Sequence, residues 1–166
     1  MKNPSLILTR LLLGATLLVP CLASAQTKPA VPDEPAIRKA VLETNAKMTQ
    51  AANSLDVDGL FSYILDSDQA TIIQNGTVFV SRQDAYQAVK RGLTGLVKVN
   101  RTFDNPRVTV LSADVALLAA EGAITATLAD GRGITNRFAV SQVYLLKEGR
   151  WKLVQGHYSM PVNRAQ

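Results

Sequence analysis

The 166-residue chain holds one cysteine, one histidine and one tryptophan, and aromatic residues make up only 5% of it. These shortages exclude several kinds of chemistry. Cys21 falls within the first 25 residues, so a chain that has shed them carries no thiol for a disulfide, a nucleophile or a metal. A zinc centre would need His157 and several carboxylates at no recognisable spacing, and neither a metal nor a cofactor is expected. No Gly-rich phosphate loop, nucleophile elbow or His-backed serine motif is present. Ser159 stands two residues from His157 without the surrounding pattern.

Charge is also modest. Residues 1–25 read as a removable export signal: Lys2 and Arg10 precede the apolar stretch Leu11–Val19, and Ala23-Ser24-Ala25 supplies small residues for cleavage before Gln26. The expected destination is the periplasm or the exterior. Pro20 before Cys21 argues against lipid attachment. The apolar stretch is short of the roughly 20 residues a spanning helix needs, so no stable membrane anchor is expected after cleavage; a retained anchor is the weaker alternative. Removing Lys2 and Arg10 leaves 16 Lys and Arg against 13 Asp and Glu, a formal charge of +3. These charges are dispersed and not interleaved with aromatics, so nucleic acid is not an expected partner.

Residues 26–35, with prolines at 29, 32 and 35, read as a linker, and one domain is expected from 36 to 162. Ile37, Val41, Met48, Ala52 and Leu55 recur at three- to four-residue steps and predict a long amphipathic helix. Asp56 caps a short second helix through Phe61 and Tyr63; Ser81 caps a third from Arg82 to about Leu93. Asn75-Gly76 between Ala70–Gln74 and Val78–Val80 marks a hairpin. Long β-rich stretches follow at 97–103, 107–111, 115–128, 134–146 and 151–158, with turns at Ser112-Ala113-Asp114, Asp130-Gly131 and Glu148-Gly149. Gly122 is a plausible point for a bend. Helices followed by a curved antiparallel sheet give an α+β class.

Leu65-Asp66-Ser67-Asp68-Gln69-Ala70 with Asn75-Gly76, and the segment from Gly149 through Trp151 and His157 to Ser159, resemble the first hairpin and last strand of the nuclear transport factor 2-like superfamily, especially its small SnoaL-like members. The resemblance covers roughly residues 36–160. It implies a cone-shaped barrel, with the sheet wrapped around the long helix, two short helices beside it, a pocket inside, and dimers through the outer sheet face. Members of the superfamily include isomerases, dehydratases, cyclases and non-enzymatic binding or association domains, so the fold does not choose among them.

The alternation of Trp151, Leu153, Gln155, His157 and Ser159 puts the single tryptophan and the single histidine on one strand face. Even-length loops at Glu148-Gly149 and Asp130-Gly131 would pair Gln142 with Gln155, Val140 with His157 and Val140 with Glu121. That register gathers Glu121, Gln142, Tyr144, Gln155, His157 and Ser159, with Glu121 and His157 about 10 Å apart. A carboxylate beside an imidazole supports proton transfer, so His157, Glu121 and Asp68, at the pocket rim the resemblance implies, are the candidate catalytic residues. Phe138, Gln142, Tyr144, Trp151, Gln155 and Ser159 are candidate ligand contacts. A bulge or an odd loop would reverse the faces. A lone strand histidine is more often structural than catalytic, and Asp66 and Asp68 suit a turn.

Three functions are compatible with this pattern. The leading expectation is an exported pocket protein for a small, largely apolar molecule. The alternatives are an isomerase-, dehydratase- or cyclase-type enzyme using His157, and a homodimeric assembly module presenting the outer faces of the last two strands.

Overall fold

The computed structural model describes residues 33–161, so the export segment and residues 26–32 of the linker lie outside the described residues. The first helix, α1 (Glu34–Asn53), begins two residues before Ala36. Asp33 accepts the N–H of Ala36, and Pro35 sits in the first turn, where a fixed φ and a missing N–H cost nothing. Pro35 therefore opens the helix instead of closing a linker. The buried stripe is Val41, Asn45, Met48 and Ala52. Among the described residues no helix is long and apolar enough to cross a membrane.

Asp56 caps α2 (Val57–Phe61) through the Gly59 N–H at 2.8 Å. The hairpin β1 (Thr71–Gln74) and β2 (Thr77–Phe79) turns at Asn75 and Gly76, both at positive φ, as a two-residue turn of this kind requires. Ser81 caps α3 (Arg82–Leu93), whose last turn carries Lys90 and Arg91 against the helix dipole. Four long strands complete the chain: β3 (Leu96–Val110), β4 (Val115–Leu128), β5 (Gly133–Lys147) and β6 (Arg150–Ser159). The segments expected at 97–103 and 107–111 are one strand. A bulge between Asp104 and Arg107 absorbs Asn105 (φ 45°) and Pro106 without ending the ladder.

The sheet order is β2-β1-β6-β5-β4-β3, antiparallel throughout except that β1 runs parallel to β6. The α+β expectation holds, with the long helix packed against β3, β4 and β6. Val41, Met48, Leu60, Phe61, Leu118, Tyr144 and Leu153 form the core between helices and sheet. At the helix C-terminus the Asn53 amide acts like one more strand residue. It accepts the Arg101 N–H at 2.7 Å and donates to the Arg101 carbonyl at 3.2 Å, tying α1 to β3 at the point where Arg101 turns inward.

Two register details decide which side chains share the inner face. The β4–β5 loop between Thr127 and Gly133 holds an odd number of residues, closed by Gly131 N–H to Leu128 O, with Gly131 at φ 86°. Every partner on β4 is consequently displaced by one: Val140 faces Ala120, and Glu121 faces Ala139. The Glu148-Gly149 turn is even, and Leu146 pairs with Trp151 as expected. A bulge then intervenes. Tyr144 pairs with Leu153 but Val143 with Gln155, so Val154 has no partner and the facing reverses beyond it.

Candidate functional site on the inner sheet face

The reversal divides the expected row. Trp151 and Leu153 point inward before the bulge, and Gly156 and Tyr158 do so after it. Gln155, His157 and Ser159 lie exposed on the outer face, Ser141 being the partner of His157. The placement of His157 opposite Val140 is thus corrected by the unpaired Val154, and that of Gln155 opposite Gln142 with it. Glu121 is also exposed on the outer face. Its carboxylate lies 3.3 Å from Arg137, which binds Asp104 at 2.8 Å. Glu121 and His157 therefore do share a face, but it is the outer one, away from Gln142 and Tyr144. His157 and Ser159 line a cleft of about 440 Å³ with Asn75, Gly76 and Met160. Asp68 is exposed in a turn closed by the Ala70 N–H on the Ser67 carbonyl.

Phe138, Gln142, Tyr144 and Trp151 do face inward, all less than 9% exposed. Gln142 is the centre of a buried polar chain. The Tyr144 hydroxyl reaches Gln142 Oε1 at 3.1 Å and Asn45 Oδ1 at 3.3 Å, and Gln142 Nε2 donates to the Tyr158 hydroxyl at 3.1 Å. The phenol has one proton, so it donates to one amide oxygen at a time; turning the Asn45 amide over gives the phenol oxygen a donor. Such a chain satisfies polar groups that would each cost about 1–3 kcal/mol if buried alone. Burial, reinforced by the neighbouring Tyr158, holds the Tyr144 phenol far above its ordinary pKa. The helix-covered half of the inner face is thus packed core. Trp151, at 8% exposure, belongs to it, with one edge on a surface cleft beside Tyr63 and Arg150.

Beyond Gln142 the lining changes. Phe103, Gly122 and Phe138 pair across β3, β4 and β5, and the two rings meet edge to face at 5.5 Å. Phe138 packs over Gly122, and Tyr158 follows at 6.0 Å. Arg101 reaches over this aromatic set, its guanidinium 5.4 Å from the Tyr158 ring and 6.0 Å from Phe138. β3 and β6 are separated by two strands, roughly 14 Å in a flat sheet, so this contact depends on the sheet curling around the inner face. Arg101, Phe103 and Tyr158 are only partly buried, whereas Gln142 and Tyr144 are closed off.

All 13 acidic side chains and His157 are exposed. The inner face presents amides, phenols, aromatic rings and one guanidinium.

Asn45, Arg101, Phe103 and Tyr158 were missed by sequence reasoning, and each left a signal. The helix stripe from Val41 to Met48 skips a turn that only position 44 or 45 can fill, and Asn45 fills it. Arg101 and Phe103 follow Val99 at two-residue steps along β3 and so share its face. For Tyr158 the hint was Gly156, since an isolated glycine in a strand often accompanies a bulge.

The family model of the SnoaL-like domain matches residues 41–163 of the sequence. The chain belongs to this family. Among solved structures, a nuclear transport factor 2-like superfamily protein from Salmonella enterica serovar Typhimurium aligns with TM-score 0.71 and 16% identity, over 80% of this chain and 96% of that one. A candidate dehydratase of the same superfamily from Streptomyces avermitilis aligns with TM-score 0.70 and 16% identity, over 77% and 99%. A type 2 hexachlorocyclohexane dehydrochlorinase aligns with TM-score 0.67 and 17% identity, over 78% and 88%. At such identities the SnoaL-like chain shares a fold with these proteins and nothing finer. No curated protein sequence matches it.

Proposed function

We propose that this SnoaL-like protein is an exported binding protein for a small molecule that enters at the Arg101–Phe103–Phe138–Tyr158 end of the inner face. The observation that carries this reading is the exposure of all 13 carboxylates and of His157. Elimination or isomerisation needs a base within hydrogen-bond reach of the proton it removes. The inner face offers amides and phenols instead, and the Tyr144 phenol is held protonated by its burial. Aromatic walls with a few convergent polar groups are what a binding site for a largely apolar molecule requires.

Titration with the neutral fluorophore N-phenyl-1-naphthylamine tests the location. Binding is expected to weaken by about tenfold in Phe103→Ala, the loss of one aromatic contact, and to change by less than about twofold in His157→Ala. The opposite pattern would move the site to the cleft beside Asn75 and His157 and reopen the proton-transfer reading.

The outer face supports a second role, pairing of two copies. Ala139 and Ser141 present short side chains beside Arg137, which is already neutralised by Asp104 and Glu121. Light scattering is expected to give the mass of a dimer, and Ala139→Arg a monomer. A monomeric parent protein would end this second role and leave the binding site untouched.

A further inference from the structure

Among the described residues Arg101 is the one charged side chain on the inner face, and no carboxylate pairs with it. Arg101 belongs to none of the ion pairs among the described residues, although all 13 acidic side chains lie within them. Its Nε is buried without a hydrogen-bond partner. The contrast with Arg137 on the outer face is instructive, because that guanidinium has carboxylates at 2.8 and 3.3 Å. Arg101 is also held in place from both ends: the Asn53 amide brackets its backbone, and the Phe138 and Tyr158 rings flank its guanidinium. A fixed, partly buried cation with no carboxylate partner is poised for an anion.

We infer that the ligand is an anionic amphiphile, a single carboxylate or comparable oxyacid on a flat apolar body. Its acid group lies against the Arg101 guanidinium and the Tyr158 hydroxyl, and its body lies along Phe103 and Phe138. This rests on the binding reading above and names the ligand's chemical class. The oxyacid supplies the acceptor that Arg101 lacks, and the rings supply a surface that free phosphate or acetate cannot use. Arg82, Lys147, Arg150 and Lys152 line a separate cleft of about 460 Å³ together with Asp66 and Glu148, and its net positive charge must be discounted in any test with an anion.

Two probes share one aromatic body and differ by one acid group: 1-anilinonaphthalene-8-sulfonate and N-phenyl-1-naphthylamine. The sulfonate is expected to bind the protein about tenfold or more tightly than the neutral probe. Arg101→Gln should erase that preference, Arg101→Lys should retain part of it, and Arg150→Gln should preserve both it and neutral-probe binding. Thermal melts establish that each variant is folded. Equal binding of the two probes to the parent protein overturns the anion inference while the binding reading stands, as does loss of the preference in Arg150→Gln instead of Arg101→Gln. Failure of both probes to bind overturns both.

Discussion

Gly122→Val is expected to be among the most damaging single substitutions in the chain, lowering the melting temperature by roughly 10 °C or preventing accumulation of folded protein. A Cβ built on Gly122 would stand 2.2 Å from the Thr102 carbonyl oxygen and 2.5 Å from Cζ of Phe138. Overpacking of a side chain alone costs about 1–3 kcal/mol, because rotamers give way. Here the nearer obstacle is the backbone of the paired strand. The cost should therefore reach about 3 kcal/mol or more. Two comparisons separate the causes. Gly133→Ala meets no atom within 4 Å and should change stability by less than about 0.5 kcal/mol. Shortening the ring with Phe138→Leu in a Gly122→Ala background should restore only part of the loss, since the Thr102 carbonyl stays where it is. Full recovery would make the ring the whole obstacle and contradict the strand geometry. The measurement is a set of urea or thermal unfolding curves for the parent protein, Gly122→Val, Gly133→Ala, Gly122→Ala and Gly122→Ala with Phe138→Leu.

The same glycine illustrates what the sequence could reveal about the fold. Gly122 stood out as a departure from the β-rich run around it, and a bend was the natural inference. The residue does allow β3, β4 and β5 to close over Phe138, but the irregularity in the ladder lies across from it, between Asp104 and Arg107. Element positions were legible because they rest on local chemistry. Asp56 and Ser81 cap helices at the positions where their side chains can reach an N–H three residues on, and Asn75-Gly76 supplies the two positive φ values of a tight hairpin. The parallel addition of β1 to β6 was not legible, since no local signal specifies which edge a hairpin joins.

The site was harder to read because facing depends on counting residues through every loop and bulge. Phe138, Gln142 and Tyr144 were placed correctly since they lie on one uninterrupted strand and share its parity. His157 and Tyr158 exchanged faces through the unpaired Val154 alone. One residue of slip moves a whole strand end from interior to solvent, which is why the chain's only histidine drew attention while its neighbour faced inward. The resemblance to the SnoaL-like fold could not correct this, because a loose motif aligns the strand without fixing a bulge within it.

Tyr144→Phe is expected to destabilise the protein by about 1–3 kcal/mol at neutral pH, and the loss should shrink as the solution becomes alkaline. The first part follows from the polar chain. Removing the hydroxyl takes away the donor shared by Gln142 Oε1 and Asn45 Oδ1, both on residues no more than 5% exposed. The second part follows from burial, which raises the phenol's pKa far above its ordinary value of 10.0. A raised pKa means that the folded state retains the proton after the unfolded state has begun to lose it. The stabilisation is therefore complete below about pH 10 and declines above it, by about 1.4 kcal/mol per pH unit while only the unfolded state ionises. Phenylalanine has no such term, and the other three tyrosines are common to both proteins. The gap between the two unfolding midpoints in urea should accordingly be widest at pH 8 and narrow, or change sign, by pH 11. A gap that stays constant across that range would mean that Tyr144 ionises in the folded protein as readily as in the unfolded chain. In that event the inner face would be accessible to water at its centre, and a phenolate beside Gln142 would become available as a base.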